Sequence, residues 1–176
     1  MQQKGSEFPL PTPGRLRRFA AMMYEAVLLF GVVFLASLLF DTLTQSRHAL
    51  SFRHARQLVL FLAIGAYFIL SWRRGQTLPM KTWHIRLVAA DGQPLRWSQL
   101  LLRYVLVWPL PLAGAALVFG LAHLTGYAST DMFIVFAPFL LFIPTWLDPQ
   151  KQFLHDRIAG TRLVDTRDRP NMVSHD

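Results

Sequence analysis

The chain has no cysteine, so it forms no disulfide, holds no metal through thiolates and uses no thiol nucleophile. Charged residues are also scarce, at 16% of 176 residues, against about 25% in a typical soluble domain. Hydrophobic residues make up 53% of the sequence. A soluble fold this apolar could not cover its surface with polar side chains, so the composition predicts a membrane protein.

Four apolar runs contain most of the hydrophobic residues: 19–40, 57–72, 100–124 and 132–147. A transmembrane helix needs about 20 apolar residues, with a usual range of about 17 to 25. The first and third runs meet this length, whereas the second and fourth fall just below it. We predict an all-α membrane protein with a bundle of about four transmembrane helices. Trp72 and Trp146 would anchor the two short runs at the membrane surface; the alternative is that one of them is a buried or re-entrant helix.

Basic residues outnumber acidic residues by 18 to 10, and their positions indicate the topology. Fourteen of the 18 precede the first run, lie between the second and third runs, or follow the fourth. Because cytoplasmic loops carry an excess of lysine and arginine, this distribution predicts that both termini are cytoplasmic. The positive charge is thus explained by topology, and we expect no nucleic-acid partner. The expected location is the cell membrane, specifically a bacterial inner membrane, crossed several times.

The segments outside the apolar runs predict two tails and one short ribbon. Residues 1–14, which contain three prolines, and residues 166–176 are predicted to be flexible tails around a single transmembrane domain over 15–165. The string IRLV at 85–88 recurs as TRLV at 161–164. We predict that the two strings pair as a short β ribbon on the inner side of the membrane, the alternative being a chance similarity.

Prolines indicate irregular helices in the second half of the chain. Pro109 and Pro111 lack a backbone donor and predict a bend in the third helix, while Pro138 and Pro144 interrupt the fourth run. Interrupted helices line substrate sites in some transporters. Isolated prolines in membrane helices are more often simple kinks, so both interpretations remain open.

Two charged residues lie inside the apolar runs. Because an acidic residue at the centre of a membrane helix costs about 2.5–3.5 kcal/mol, Glu25 is expected to face the bundle interior. Arg18 lies seven residues earlier, on the same helix face and about 10 Å away. Arg103 starts the third helix at a depth similar to that of Glu25. We predict that Arg103 and Glu25 form an ion pair, since each charge would offset the desolvation of the other.

A second polar group, His155, Asp156 and Arg157, follows the last apolar run. Asp156 is expected to cap a backbone end or to accept a hydrogen bond from Arg18, with His155 and Arg157 in support; the alternative is a solvated turn. His155 and Asp156 could supply acid–base chemistry, but no serine or cysteine nucleophile with a spaced partner accompanies them. We therefore expect no enzymatic activity and no catalytic residue. No metal-ligand spacing appears, so neither a metal nor another cofactor is expected.

Three segments resemble the RDD family of membrane proteins: RRFAAMMYE at 17–25, GQTLPMKTWHIRLVAADGQPLRWSQLLLRY at 75–104 and LHDRIAGTRLV at 154–164. The family is named for one arginine and two aspartates. By this resemblance the arginine is Arg18 and the second aspartate is Asp156. Glu25 stands at the position of the first aspartate and keeps its charge with one more methylene. Pro79 stands where family members often have glycine, which argues against a flexible hinge there.

The resemblance implies an integral membrane protein, for which transport of ions or small solutes is the usual suggested role. In one hypothesis Glu25 alternates between a proton and a cation in a cation/proton exchanger, because ionisable residues within membranes often mark such pathways. In the other, Arg18, Glu25, Arg103 and Asp156 form a buried network that fixes helix packing in a structural or accessory protein. The expected partners are the lipid bilayer and either further copies of the chain or another membrane protein.

Overall fold

The computed structural model describes residues 11–44, 52–126, 128–149 and 152–167. Its elements are, in chain order, α1 (Arg15–Thr44), α2 (Arg53–Arg73), α3 (Leu78–Thr82), β1 (Ile85–Ala89), α4 (Trp97–Val107), α5 (Pro109–Thr125), a 3₁₀ helix (Ala128–Phe142), α6 (Pro144–Leu147), α7 (Leu154–Ile158) and β2 (Thr161–Asp165). The fold is therefore mostly helical with one small sheet.

Three helical stretches are long and apolar enough to cross a membrane: Arg15–Thr44, Arg53–Thr82 and Trp97–Thr125. The second stretch has 30 residues because it includes α2, the turn that follows Arg73, and α3; α2 alone has 21 residues and extends beyond the apolar run at 57–72 at both ends. Large apolar side chains on these helices face outward; Phe30, for example, is 74% exposed. An apolar surface of this extent requires an apolar solvent, as expected for a membrane protein.

Proline interrupts the third run at Pro109 and the fourth run at Pro144, as predicted, whereas Pro138 does not interrupt the helix that contains it. α4 ends at Val107 and α5 begins at Pro109, because proline lacks the N–H that would continue the helix. The fourth run is a 3₁₀ helix that contains Pro138, although 3₁₀ runs of more than three or four residues are uncommon. With a rise of about 2.0 Å per residue, its 15 residues extend about 30 Å, the thickness of the hydrocarbon core.

α5 packs along the 3₁₀ helix, and a glycine permits their close approach. A Cβ atom on Gly114 would collide with Leu140 Cδ1 and would lie 3.3 Å from the Cβ of Ala137. Small residues at such positions let helix backbones approach closely. The third and fourth apolar runs therefore form one helical hairpin.

The two repeated strings pair as the antiparallel strands β1 and β2, which confirms the predicted ribbon. Leu87 lies opposite Leu163 at the centre of the register. Ile85, Leu87 and Leu163 are buried, as expected for alternate residues that share one face of a strand pair. The ribbon is thus held against the helices by its apolar face.

The backbone on either side of the ribbon extends it. Leu87 N donates to the Gly75 carbonyl over 2.8 Å, and Asp165 N donates to the Pro11 carbonyl over the same distance. Pro13 is buried as well. The described residues 11–14, predicted above to belong to a flexible tail, thus pack against the ribbon, because the Pro11 carbonyl accepts from Asp165 N and Pro13 is buried. The remainder of that tail, and the second tail beyond residue 167, lie outside the described residues.

A hydrophobic core forms where the buried face of the ribbon meets the helices. It consists of the buried residues Ala21, Trp72, Met80, Ile85, Leu87, Leu100, Tyr104, Phe153 and Leu163. Trp72, predicted above to be an interfacial anchor, is 4% exposed and belongs to this core, because its ring stacks on Phe68 and lies against the guanidinium of Arg103. Polar side chains near the ribbon therefore lie in a packed environment.

Candidate functional site

The buried charge of Arg103 is neutralised by Asp156. Arg103 on α4 is 5% exposed and Asp156 on α7 is fully buried, and Nη1 of the arginine forms an ion pair with Oδ1 of the aspartate. Thr161 Oγ1, from β2, lies 3.2 Å from Asp156 Oδ1 and 3.3 Å from Arg103 Nη1. The guanidinium also lies 4.6 Å from the ring centroid of Trp72. This pair therefore connects α2, α4, α7 and β2.

The predicted ion pair between Arg103 and Glu25 is wrong. α4 packs against α2 and α7, whereas α1, which carries Glu25, packs against α2 and α3. Arg103 consequently meets a carboxylate from α7 rather than one from α1. The expectation that Asp156 accepts from Arg18 or caps a backbone end is also wrong, because its carboxylate contacts Arg103 and Thr161.

Glu25 is bound by two hydroxyl groups. It is 8% exposed on α1. The Tyr67 hydroxyl, from α2, donates to Oε1, and the Thr77 hydroxyl donates to Oε2 over 2.6 Å. Within the described residues, no basic side chain forms an ion pair with Glu25. Burial of an uncompensated carboxylate is costly, so this environment favours a bound proton or cation.

The GQT string at 75–77 places one of these hydroxyls. Gly75 has a φ of +85°, a conformation that residues with a side chain rarely adopt. Thr77 then caps α3, where its hydroxyl oxygen accepts from Met80 N over 3.3 Å. Pro79 lies in the first turn of α3, where the missing N–H has little cost. Thr77 therefore both starts α3 and binds Glu25.

Arg18 is connected to Asp156 through two rings. Arg18 is 3% exposed, and its guanidinium lies 4.8 Å from the ring centroid of Phe153. Phe153 stacks on His155, with centroids 5.2 Å apart, and His155 Nε2 lies 3.8 Å from Asp156 Oδ1. The structure therefore brings Arg18 and Asp156 into one cluster, whereas Glu25 is held separately by hydroxyls.

His155 is buried at the junction of these contacts. Burial, followed by the nearby charge of Arg103, lowers the pKa of His155 well below its usual 6.5. The imidazole is therefore neutral at pH 7 in the folded protein. In the unfolded chain it would accept a proton as the pH falls through about 6.5.

Acidification from pH 6.5 to 5.5 is expected to reduce the free energy of unfolding of the wild type by about 1 kcal/mol more than that of His155→Gln. In this range the unfolded chain binds a proton that the folded state excludes, so stability falls with pH. Thermal or denaturant unfolding in detergent at both pH values measures the difference. His84→Gln, which replaces an exposed histidine, is the matched control and should keep the wild-type slope. Equal slopes for wild type and His155→Gln would contradict the expectation.

Arg157 takes no part in the buried cluster. Its side chain is 61% exposed and pairs with Asp148 over 2.8 Å. This contact ties α7 to the segment after α6. Among the supporting residues named from the sequence, His155 therefore lies in the cluster and Arg157 lies at the surface.

Sequence reasoning missed three hydroxyl side chains of the site, namely Tyr67, Thr77 and Thr161. For each of them, a feature of the sequence could have identified the residue as a candidate. Tyr67 is one of the few residues with a polar atom in the second apolar run, Thr77 closes the GQT string, and Thr161 opens the TRLV string. A buried carboxylate needs hydrogen-bond donors, and hydroxyls at helix and strand ends are the nearest neutral ones.

In the part of the chain that the structure describes, no group of three or more His, Cys, Asp or Glu side chains could hold a metal ion. A family model described as the RDD family matches residues 12–160. The matched range covers more than four fifths of the 176 residues and includes Arg18, Glu25 and Asp156. Comparison with curated proteins and with solved structures finds no match.

Proposed function

The chain therefore belongs to the RDD family of membrane proteins, and we propose that it is a multi-pass protein of the cell membrane that exchanges a cation for protons. The proposed activity is transport without covalent chemistry, so the proposal includes no enzymatic activity. It requires one group, accessible in turn from the two sides, that holds either a proton or a cation. Glu25 is the residue to which we assign this role.

The observation that supports this assignment is the environment of Glu25. Hydroxyl oxygens of Tyr67 and Thr77 lie next to a buried carboxyl group, and no described basic side chain forms an ion pair with it. Carboxylate and hydroxyl oxygens are suitable ligands for hard cations. A proton or a cation would each neutralise Glu25, and occupancy by one excludes the other, as exchange requires.

The ion pair of Arg103 with Asp156 has a different role in this proposal. Its two charges neutralise each other, so the pair needs neither a proton nor a cation. We assign to it, together with Arg18 and His155, the function of holding the ribbon end of the bundle together. The charged network of the sequence hypothesis is thereby divided into one transport residue and one packing cluster.

We further propose four crossings of the inner membrane with both termini and the ribbon in the cytoplasm. The three long apolar stretches and the roughly 30 Å length of the 3₁₀ helix support the number of crossings. The positions of 14 of the 18 basic residues support the orientation. Four crossings make a small bundle, so we propose that several copies assemble around the transport path.

Cysteine labelling tests this topology, because the natural chain has no cysteine and needs no prior substitution. Gln93→Cys, in the exposed turn after β1, is expected to react with a membrane-impermeant maleimide only after the cells are opened. Thr44→Cys, at the far end of α1, is expected to react in intact cells. The reverse pattern, or reaction of both residues from the same side, would contradict the proposed orientation.

Proton flux in liposomes tests the proposed activity. Purified protein is reconstituted in liposomes that contain a pH-sensitive dye, and a gradient of Na⁺ or K⁺ is imposed. When the cation enters the liposomes, protons should leave in exchange, so we expect the internal pH to rise. Protein-free liposomes should show no such rise. No pH change under either gradient, with helical circular dichroism intact, would exclude the exchanger.

The second candidate function is that of a structural or accessory membrane protein. The observation in its favour is a set of hydrogen bonds between distant segments at the ribbon end of the molecule. Gln152 Nε2 donates to Thr12 Oγ1 over 2.9 Å and to the Leu163 carbonyl over 3.2 Å. Such contacts would make a rigid platform for a partner membrane protein. In that case the liposomes would show no flux, and substitution of Glu25 would reduce stability instead.

A further inference from the structure

An open groove of about 300 Å³ lies beside the first turn of α1. It lies between α1 and the end of the 3₁₀ helix with α6, and it is lined by Arg15, Leu16, Phe19, Phe139, Phe142 and Trp146. All of these residues except Arg15 are apolar or aromatic. The groove therefore has apolar walls, and the positive charge lies at its edge, where the Arg15 guanidinium is 6.0 Å from the ring centroid of Trp146.

The three arginines at the start of α1 have different surroundings. Arg17 pairs with Asp165 and donates to the Trp83 carbonyl, and Arg18 is buried against Phe153. Arg15 is exposed. Its Nη2 donates to the Thr145 carbonyl over 3.1 Å, and since a guanidinium has five N–H donors, this contact leaves donors for a further acceptor.

We propose that the groove binds one anionic phospholipid, with its phosphate on Arg15 and an acyl chain along Leu16, Phe19 and Phe139. The apolar walls suit a hydrocarbon chain, and the arginine complements the negative headgroup. Basic residues at the membrane boundary attract anionic lipids. Trp146, which is 74% exposed at the rim, is of the residue type that collects at the headgroup level.

The same geometry favours a lipid over a soluble anion. A free phosphate would meet the charge of Arg15 but would leave the walls of the groove uncovered. A lipid makes the same ionic contact and also covers apolar surface, which adds stabilisation in proportion to the area buried. This inference depends on the groove alone and is independent of cation exchange at Glu25.

Native mass spectrometry of the full chain released from detergent micelles tests the proposal. Phosphatidylglycerol and phosphatidylethanolamine with identical acyl chains are the probes. We expect the wild type to retain one phosphatidylglycerol with an affinity clearly above that for phosphatidylethanolamine. Arg15→Gln should weaken the binding of phosphatidylglycerol about five-fold, which corresponds to about 1 kcal/mol for one basic residue. Leu16 lines the groove and is 84% exposed. Leu16→Gln should therefore weaken the binding of phosphatidylglycerol by removing apolar contact with the acyl chain, while the charge of the protein stays the same.

The matched control is Arg53→Gln, which removes an exposed arginine from the first position of α2 and should keep wild-type binding. Equal retention of the two lipids by the wild type would overturn the proposal. Equal losses in Arg15→Gln and Arg53→Gln would also overturn it, because they would indicate a general charge effect. Displacement of the lipid by an equal concentration of glycerol 3-phosphate, which has no acyl chain, would identify a soluble anion as the occupant instead.

Discussion

Replacement of Asp156 by asparagine is expected to reduce the free energy of unfolding by about 3–5 kcal/mol. The substitution keeps the shape of the side chain but leaves the guanidinium of Arg103, which is 5% exposed, without a compensating charge. Both ions are already removed from water in the wild type. When Asp156 loses its charge, the free-energy cost of burying the Arg103 guanidinium remains, and the attraction that offset it is lost. Denaturant titration in mixed micelles, followed by circular dichroism, measures the loss.

A second Arg–Asp pair in the same chain supplies the matched control. Asp41 pairs with Arg56, and their side chains are 38% and 21% exposed; solvent-exposed ion pairs contribute about 0–1 kcal/mol. Asp41→Asn should therefore have a small effect. The double variant Arg103→Met/Asp156→Leu should recover much of the stability, because apolar side chains replace a buried pair without leaving a charge. Equal losses in Asp41→Asn and Asp156→Asn would contradict the assignment of Asp156 as the packing residue.

The ribbon could be predicted from the sequence because its signal is local. IRLV at 85–88 and TRLV at 161–164 have the same length and apolar spacing, so a pairing that buries Leu87 also buries Leu163. The apolar runs were equally visible, since hydropathy needs no knowledge of neighbours. The ends of the second run were missed, because polar residues such as Arg53 and Arg73 extend a helix beyond its apolar centre.

The partner of Arg103 could not be predicted in the same way. Sequence position gives the depth of a residue along a helix, but the direction in which it faces depends on which helices pack together. α4 packs on α2 and α7, and α7 has only five residues, too few for a periodic signal. The position of Asp156 is instead set by the turn at Gly160, which has a φ of +64°, and by the ribbon that follows it.

The partners of Glu25 are explained by the need of a buried carboxyl group for hydrogen-bond donors, and the spacing of residues in the sequence does not identify them. Part of its site was contained in the family resemblance, because the GQT string carries Thr77. The resemblance gave no role for that threonine, and the hydroxyl became meaningful only through its 2.6 Å contact with Glu25. Glutamate in place of the family aspartate extends the carboxyl group by one methylene, toward both Tyr67 and Thr77.

Glu25→Gln is expected to reduce cation-driven proton flux in liposomes to the level of protein-free liposomes while the fold is retained. The amide oxygen can accept from one hydroxyl, and the amide N–H can donate to the oxygen of the other, so both Tyr67 and Thr77 keep a partner. The amide, however, neither takes up a proton nor neutralises a cation. Flux and the free energy of unfolding are measured on the same preparation, and the loss of stability should stay within about 1 kcal/mol.

The control is Asp41→Asn, which removes a carboxylate near the other end of α1, where Asp41 pairs with Arg56. Its side chain is 38% exposed, so we expect flux close to that of the wild type. Glu25→Asp restores the family residue and should retain flux, because the titratable oxygens remain even though one methylene is lost. Flux in Glu25→Gln equal to that of the wild type would exclude Glu25 as the exchanging group. A stability loss of several kcal/mol in the same variant would assign Glu25 to packing, since a group needed only for exchange leaves the folded state unchanged when its charge is removed.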